Sequence, residues 1–145
     1  MDPRTDAFLA LIRQHVSQET RSMSDLAEVL GISRRQLGRM LNGLRPLRVA
    51  ELEALTDLLG IDRARARVAI ELIGDWQAYD DPGLGVMMRL LEPVVTRLRD
   101  RAEVPVQPLT KPAQERLSIW IADTILTNDG QIRNRQEAFM KLPDI

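Results

Sequence analysis

The chain has 145 residues, enough for one compact domain or two small ones, and its 44% hydrophobic but only 3% aromatic content predicts a core of aliphatic side chains. Because 20 Lys and Arg residues are balanced by 21 Asp and Glu residues, any argument for nucleic-acid binding must rest on local clustering of charge. The absence of cysteine excludes disulfides, thiolate zinc sites and cysteine nucleophiles, and the single histidine argues against a Ser-His-Asp triad or a multi-histidine metal site.

The sequence also argues against a membrane protein and against an enzyme. No apolar run reaches the roughly 18 residues of a membrane span. The N-terminal stretch MDPRTDAFLALIRQ lacks the basic leader and long apolar segment of a signal peptide. No pair of carboxylates has a suggestive spacing. We therefore expect a cytoplasmic protein with no membrane partner, no catalytic residues, no metal site and no cofactor.

The first part of the chain predicts a series of short, capped helices. Asp2 followed by Pro3 is a typical helix start, because the missing N–H of proline costs nothing at the first helical position. Ser22, with Asp25 three residues later, resembles a capping box that opens a helix over about 23–30.

A glycine turn and a second capping box follow directly. Gly31 can take the left-handed conformation that ends a helix and turns the chain. Ser33, with Gln36 three residues later, then caps a helix that runs to about Asn42 and Gly43.

Two more helices complete the N-terminal part. Pro46 predicts the start of the fourth helix, whose apolar stripe ends at Gly60. Asp62 predicts the cap of the fifth helix. The residues expected on the inner side of that helix are Ala66, Ala69, Ile70 and Ile73.

Turn-forming residues in YDDPGLG, shortly after Trp76, predict a boundary between two domains, 1–79 and 80–145. The second domain opens with a predicted helix over 84–101. Pro93 lies inside this helix and should kink it or split it in two.

The rest of the C-terminal region is predicted to be a linker and two helices. Residues 103–112 are proline-rich and predict a linker. Pro112 opens a helix to about Leu126, TNDG turns the chain, and a last short helix carries Ile132, Phe139 and Met140. The prediction is thus an all-α fold, with a five-helix N-terminal domain and a helical C-terminal region.

The helices predicted on either side of Gly31 have the arrangement of a helix-turn-helix, two helices of about eight residues joined by a short turn with a glycine. Ala27 must be small because the second helix crosses over it, and Gly31 supplies the positive φ of the turn. Leu26 and Leu37 bury the inner faces. Further apolar residues expected there are Leu30, Ile32, Met40 and Leu41.

Residues 5–73, with SDLAEVLGISRRQLGRMLNG as the second and third helices, resemble the lambda-repressor/Cro type of helix-turn-helix protein, the XRE family. The downstream stretch LRVAELEALTDLLGID is similar to that family's fourth helix and to the ending before its fifth. The resemblance covers about the first half of the chain. It implies a bacterial, nucleoid-associated regulator of transcription that binds double-stranded DNA.

The resemblance implies that four residues of the third helix read bases in the major groove. Arg34, Arg35 and Arg39 are expected to project into the groove, where each good bidentate contact to guanine O6 and N7 contributes about 1–3 kcal/mol of discrimination. Gln36 is expected to read adenine, although its capping role competes for the same side chain.

The resemblance also implies that residues at and beyond the ends of that helix contact phosphates. Ser33 and Asn42 lie at its two ends, and Arg45 and Arg48 follow just beyond. Such contacts contribute affinity and register rather than sequence information. Relatives often carry glutamine for a phosphate where this chain has Met23, so that contact is not transferred.

Charge clustering agrees with this interpretation. Residues 33–50 contain five arginines and no acid, whereas residues 1–75 contain 11 cations and 11 acids. The alternative is a solvated polar face on a helical interaction module. Gly38 inside the third helix is unusual, since a mid-helix glycine costs roughly 0.5–1 kcal/mol relative to alanine. It either permits a close approach to DNA or is a tolerated surface glycine.

The C-terminal region has wide apolar stripes joined by the proline-rich linker, which favours dimerisation. A homodimer would bind two half-sites about one helical turn, roughly 34 Å, apart. Repression by promoter occlusion is the expected role, and activation through contact with RNA polymerase remains open. The alternative is an antitoxin-like or adaptor module whose C-terminal half binds another protein.

Overall fold

The computed structural model describes residues 2–141, and no strand occurs among them, so the all-α prediction is confirmed. The α-helices are α1 (Pro3–Gln18), α2 (Met23–Leu30), α3 (Arg34–Leu41), α4 (Val49–Leu59), α5 (Arg63–Arg67), α6 (Pro82–Arg101) and α7 (Lys111–Met140). A π-helical turn (Val68–Ile73) and a 3₁₀ helix (Trp76–Asp80) lie between α5 and α6. Residue 1 of the first predicted domain and residues 142–145 of the second lie outside the described residues.

The first helices begin and end as the sequence predicts. The Asp2 carboxylate accepts the Arg4 N–H at 3.0 Å at the start of α1. At the start of α2, the Ser22 hydroxyl accepts the Asp25 N–H at 3.1 Å and the Asp25 carboxylate accepts the Ser22 N–H at 3.3 Å. Gly31 ends α2 with a φ of 69°. Local hydrogen bonds therefore determine these boundaries.

A core of aliphatic side chains joins the first five helices. Its fully buried members include Leu11, Ile12, Leu26, Leu37 and Leu55, which come from α1, α2, α3 and α4. Burying one such side chain contributes about 1.5–3 kcal/mol. This shared core holds the inner side of α3 against its neighbours.

Two arginines connect helices that are distant in sequence. Arg13 of α1 donates from Nη1 to the carbonyl of Leu41, the last residue of α3, at 2.7 Å. Arg21 donates from Nη2 to the Leu58 carbonyl near the end of α4 at 2.8 Å. The last carbonyls of a helix have no partner within the helix, and a cation is favourable there. Each arginine therefore completes a helix end.

Tyr79 attaches the 3₁₀ helix to α1 and α5. Its hydroxyl accepts the Asp62 N–H at 2.9 Å, at the start of α5. The His15 ring meets it edge-on with centroids 5.3 Å apart, and the Arg65 guanidinium lies 5.3 Å from its ring centroid. The segment that follows α5 is thus held on the helical core.

Two predictions in this part of the chain are wrong. The fourth helix begins at Val49 rather than Pro46, because Glu51 accepts the Arg48 N–H at 3.2 Å and Leu47, just before the cap, packs on the core. Ile73 is exposed rather than buried, because the wider period of the π-helical turn rotates it away from the side of Ala66 and Ala69.

The C-terminal helices are longer and less interrupted than expected. α6 is not split at Pro93, since proline removes one backbone hydrogen bond while the neighbouring ones remain, and the kink expected as the alternative stays a prediction. α7 begins at Lys111 rather than Pro112 and continues through TNDG as one helix of 30 residues. Asn, Asp and Gly each disfavour a helix by only about 1 kcal/mol or less, and the Asp129–Arg133 ion pair at 2.9 Å supports this turn.

The chain divides into two compact units, Met1–Arg97 and Leu98–Ile145. The first extends past residue 79 because Leu84 of α6 packs on the core and Arg65 donates to the Asp81 carbonyl at 3.1 Å. The division at 79–80 stays a prediction. Within the described residues, no helix combines the length and apolar character needed to cross a membrane.

Candidate nucleic-acid interface

The third helix has one buried and one exposed side. Leu37, Met40 and Leu41 are at most 6% exposed and face the core. A helix turns about 100° per residue, so the opposite side carries Arg35, Arg39 and Asn42, all of them exposed. We refer to these three residues as the outer face of α3. The apolar residues of α3 thus pack in the core, and Arg35 and Arg39 point away from it.

The turn between α2 and α3 has the geometry that the motif requires. Ala27 and Leu26 are buried, at 2% and 0% exposure, on the side of α2 that faces the core. Gly31 is left-handed, and the Ile32 N–H donates to the Ala27 carbonyl at 3.0 Å. Among the described residues, positive φ occurs only at glycines, so the turn contains no strained side chain.

Four arginines of the predicted cluster are exposed and unpaired. Among the described residues, the side chains of Arg34, Arg35, Arg39 and Arg48 have neither an ion-pair partner nor a side-chain hydrogen bond to protein. By contrast, Arg13 and the other bridging arginines of the first unit donate to carbonyls or carboxylates. The guanidinium groups of the four cluster arginines, in contrast, have no partner among the described residues and can bind an external anion or acceptor.

Arg45 differs from the other arginines of the cluster. Its Nη2 donates to Glu51 at 2.8 Å and its Nη1 contacts the sulfur of Met40 at 3.1 Å, and its side chain is only 26% exposed. A guanidinium has five N–H donors, so further donors remain. The phosphate contact expected of Arg45 stays a prediction, and it would compete with this ion pair.

Glu51 is a residue of this region that the sequence interpretation missed. It caps the start of α4 and holds Arg45 at the same time. Its position three residues after Arg48 is that of a capping residue, a signal that could have identified it. Arg13, which bonds the last carbonyl of α3, had no comparable signal because its partner lies 28 residues away.

The capping box of α3 limits what its two members can contact. The Ser33 hydroxyl accepts the Gln36 N–H at 3.1 Å, and Gln36 Oε1 accepts the Ser33 N–H at 3.0 Å. The Ser33 hydroxyl can still donate its proton to a phosphate. Gln36 keeps its amide NH₂ free, but a bidentate contact to adenine needs the occupied Oε1 as well.

Comparison with known proteins identifies the segment that contains this site. Residues 7–68 match a family described as a helix-turn-helix domain. These residues form a helix-turn-helix domain. The matched range runs from α1 to the end of α5 and includes all the residues discussed above.

The helix-turn-helix domain accounts for less than half of the chain. No curated protein and no solved structure matches the chain. The match supports a DNA-binding domain, while the finer assignment to the lambda-repressor/Cro type stays a prediction from the resemblance. The unmatched part includes α6 and α7.

Proposed function

We propose that the protein is a sequence-specific DNA-binding regulator of transcription that inserts α3 into the major groove. The observation that carries the proposal is the outer face of α3, in a helix-turn-helix domain, with unpaired arginines beside a fully buried inner side. An ordinary surface helix also separates charged from apolar residues, so the proposal depends on the clustering of arginines without carboxylate partners at the position of a recognition helix. Arginine is the side chain best suited to bind guanine edges and phosphates bidentately.

The residues around α3 are proposed to hold the DNA backbone. Ser33 and Asn42 lie at the two ends of the helix and Arg48 is unpaired just beyond it. Binding should therefore weaken steeply with salt, because each neutralised phosphate releases condensed counterions. Arg45 joins this set through its remaining N–H donors, or by exchanging Glu51 for a phosphate.

The proposal is tested by Arg35→Ala and Arg39→Ala in a gel-shift assay with the DNA upstream of the protein's own gene. Each change should reduce specific affinity about 5- to 100-fold while leaving circular dichroism unchanged. Arg4→Ala is the matched control, because it removes an exposed arginine outside the cluster. Unchanged specific retention by both α3 variants would refute the proposed insertion of α3.

We further propose that the protein binds as a homodimer to a two-fold symmetric site and represses by covering a promoter. The support is the apolar surface of the C-terminal helices. α6 has no buried residue within the described structure, yet it exposes seven large apolar side chains: Val86, Met87, Leu90, Leu91, Val94, Val95 and Leu98. Surfaces of this kind mark protein–protein interfaces.

The dimer is tested by sedimentation at micromolar concentration. Leu91→Glu should convert a dimer to a monomer, because it places a charge in the stripe. Thr96→Glu, on the same helix and also exposed, is the control and should leave the mass unchanged. A monomeric wild-type mass would refute the dimer.

A protein-binding module is the second candidate, and the same exposed helices support it. α7 also has no buried residue among those described, and Trp120 on it is 63% exposed. In this case the protein would have an antitoxin-like or adaptor function, and its C-terminal half would bind a second protein or RNA polymerase. A stoichiometric partner that co-purifies and is needed for DNA binding would favour it over the homodimer. Either function would place the protein in the cytoplasm.

A further inference from the structure

Gly38 has no role within the chain that requires glycine. Its φ is not positive, and a Cβ built on it would meet no atom within 4 Å. Neither the backbone conformation nor crowding by the protein therefore demands glycine. A glycine in a helix interior nevertheless weakens the helix. Positions that break a local rule without an internal reason tend to lie at functional sites.

Gly38 borders the outer face of α3. Residues three and four apart on a helix are neighbours, so Gly38 lies between Arg34 and Asn42 and also beside Arg35. The missing side chain leaves bare backbone among three polar residues. This is the one place along α3 where an external surface can come closest to the helix axis without meeting a side chain of the outer face.

Arg35 and Arg39 are spaced to read two separate bases. They are one turn apart, which at 1.5 Å per residue is about 6 Å along the helix. Successive bases of a DNA strand rise 3.4 Å. An interval of about 6 Å therefore lies between one and two base-pair steps. Both side chains are exposed and unpaired, so each can present two N–H groups to guanine O6 and N7.

The other two expected base readers are less suited to this task. Gln36 Oε1 already accepts the Ser33 N–H, so the side chain is turned toward the start of its own helix and would have to leave the cap to present both its oxygen and its NH₂ to adenine. Arg34 lies roughly 100° around the helix from Arg35, nearer to the buried side. From there it faces the edge of the groove, where the phosphates lie.

We propose that α3 docks with Arg35 and Arg39 toward the base edges and with its bare backbone at Gly38, on the same flank as Arg34, against one wall of the groove. Arg35 and Arg39 then each read one guanine, the two guanines lying one or two base-pair steps apart in each half-site. This deepens the proposed function and rests on it. It narrows the base-reading set to two arginines and assigns Arg34 to a phosphate. It also gives Gly38 a purpose, since a Cβ there would press against the groove wall and keep the helix from entering as deeply.

The first test is a selection of binding sites from a random double-stranded DNA pool with the full chain. The selected sites should contain the guanine pair. Replacing either guanine with 7-deazaguanine removes N7, and should weaken wild-type binding about 5- to 10-fold. Arg35→Ala should lose the response to one of the two replacements and keep the response to the other, and Arg39→Ala should do the reverse.

The second test compares two glycines. Gly38→Ala should weaken binding to the selected site about tenfold, because the added methyl group separates the surfaces. Gly130→Ala is the matched control: Gly130 also lies inside a helix, without positive φ and with open space at its Cβ. It should leave DNA binding unchanged. Alanine favours helices, so both variants should melt at or above the wild-type temperature.

The outcomes separate this proposal from the one on which it rests. If no sequence is enriched, the regulator proposal fails, and the guanine-pair proposal fails with it. If a site is enriched that lacks the guanine pair, or if 7-deazaguanine has no effect, only the guanine-pair proposal is overturned. If Gly38→Ala binds as tightly as the wild type, the backbone docking is overturned even where both guanines are read.

Discussion

The bond from Arg13 to the end of α3 gives a quantitative prediction about how this helix is held. Arg13 Nη1 lies 2.7 Å from the Leu41 carbonyl, in a part-buried position. A hydrogen bond to a charged group contributes about 1.5–3 kcal/mol, and partial exposure lowers this to about 1–2 kcal/mol. Arg13→Met removes the guanidinium and keeps most of the apolar stem. We therefore expect it to lower the free energy of unfolding by about 1–2 kcal/mol.

Urea unfolding measures this loss, with tryptophan fluorescence as the signal. The chain has two tryptophans, and Trp120→Phe leaves Trp76, which packs on the core of the first unit, as the only reporter. With a slope of about 2 kcal/mol per molar urea, the midpoint of Arg13→Met should fall by about 0.5–1 M. DNA affinity should fall as well, because the end of α3 that carries Asn42 becomes less ordered.

Arg4→Met in the same background is the control. Within the described residues, the Arg4 side chain has no ion pair or hydrogen bond, so its midpoint should shift by less than the equivalent of about 0.5 kcal/mol. If Arg13→Met unfolds at the same urea concentration as Arg4→Met, the bond to Leu41 contributes nothing and the account of how α3 is anchored is refuted.

Three further predictions concern single side chains. Tyr79→Phe removes the acceptor of the N–H at the start of α5 and should lower stability by about 1–2 kcal/mol in the same urea assay; a change below about 0.3 kcal/mol would contradict it. Glu51→Gln should release Arg45 and remove a negative charge next to the cluster, so DNA affinity at low salt should rise severalfold. A fall in affinity with intact folding would count against the assignment of Arg45 to a phosphate. The side-chain hydrogen bond from Arg21 lowers the pKa of Glu19 below its ordinary value of 4.5, so the resulting stabilisation is present above pH 4.5 and is lost as the pH falls through the lowered pKa. Glu19→Gln should therefore reduce the loss of unfolding free energy on acidification. An unchanged loss would show that another group causes it.

Local patterns predicted the starts of α1, α2, α3 and α5, because each depends on residues within one turn, but they placed the start of α4 at Pro46 rather than Val49. The capping boxes at Ser22 and Ser33 and the left-handed turn at Gly31 form as expected. Local patterns failed where a helix-breaking residue was considered without the turns on either side of it. The TNDG stretch does not end α7, because Asn, Asp and Gly each cost about 1 kcal/mol or less in a helix. α6 continues through Pro93 although an interior proline costs about 3 kcal/mol, because the neighbouring turns keep their hydrogen bonds.

The arrangement of the candidate site was only partly predictable. Helical periodicity alone places Arg35 and Arg39 opposite Leu37, since that relation depends on the pitch of one helix. Which arginines stay free does not follow from the pitch. The pairing of Arg45 with Glu51, and the absence of a partner for Arg39 among the described residues, depend on how α4 and the preceding loop pack beside α3.

The amino-acid sequence by itself determined the all-α character of the protein, the capped turn around Gly31 and the separation of cationic from apolar residues on α3, because these result from contacts within a few positions along the chain. Tertiary structure alone decided that Arg13 completes the end of α3, that Tyr79 holds the segment after α5, and that Gly38 has open space beside it. The physical reason is distance along the chain: a bond across 28 residues, or an empty volume, exists only after packing has brought the helices together.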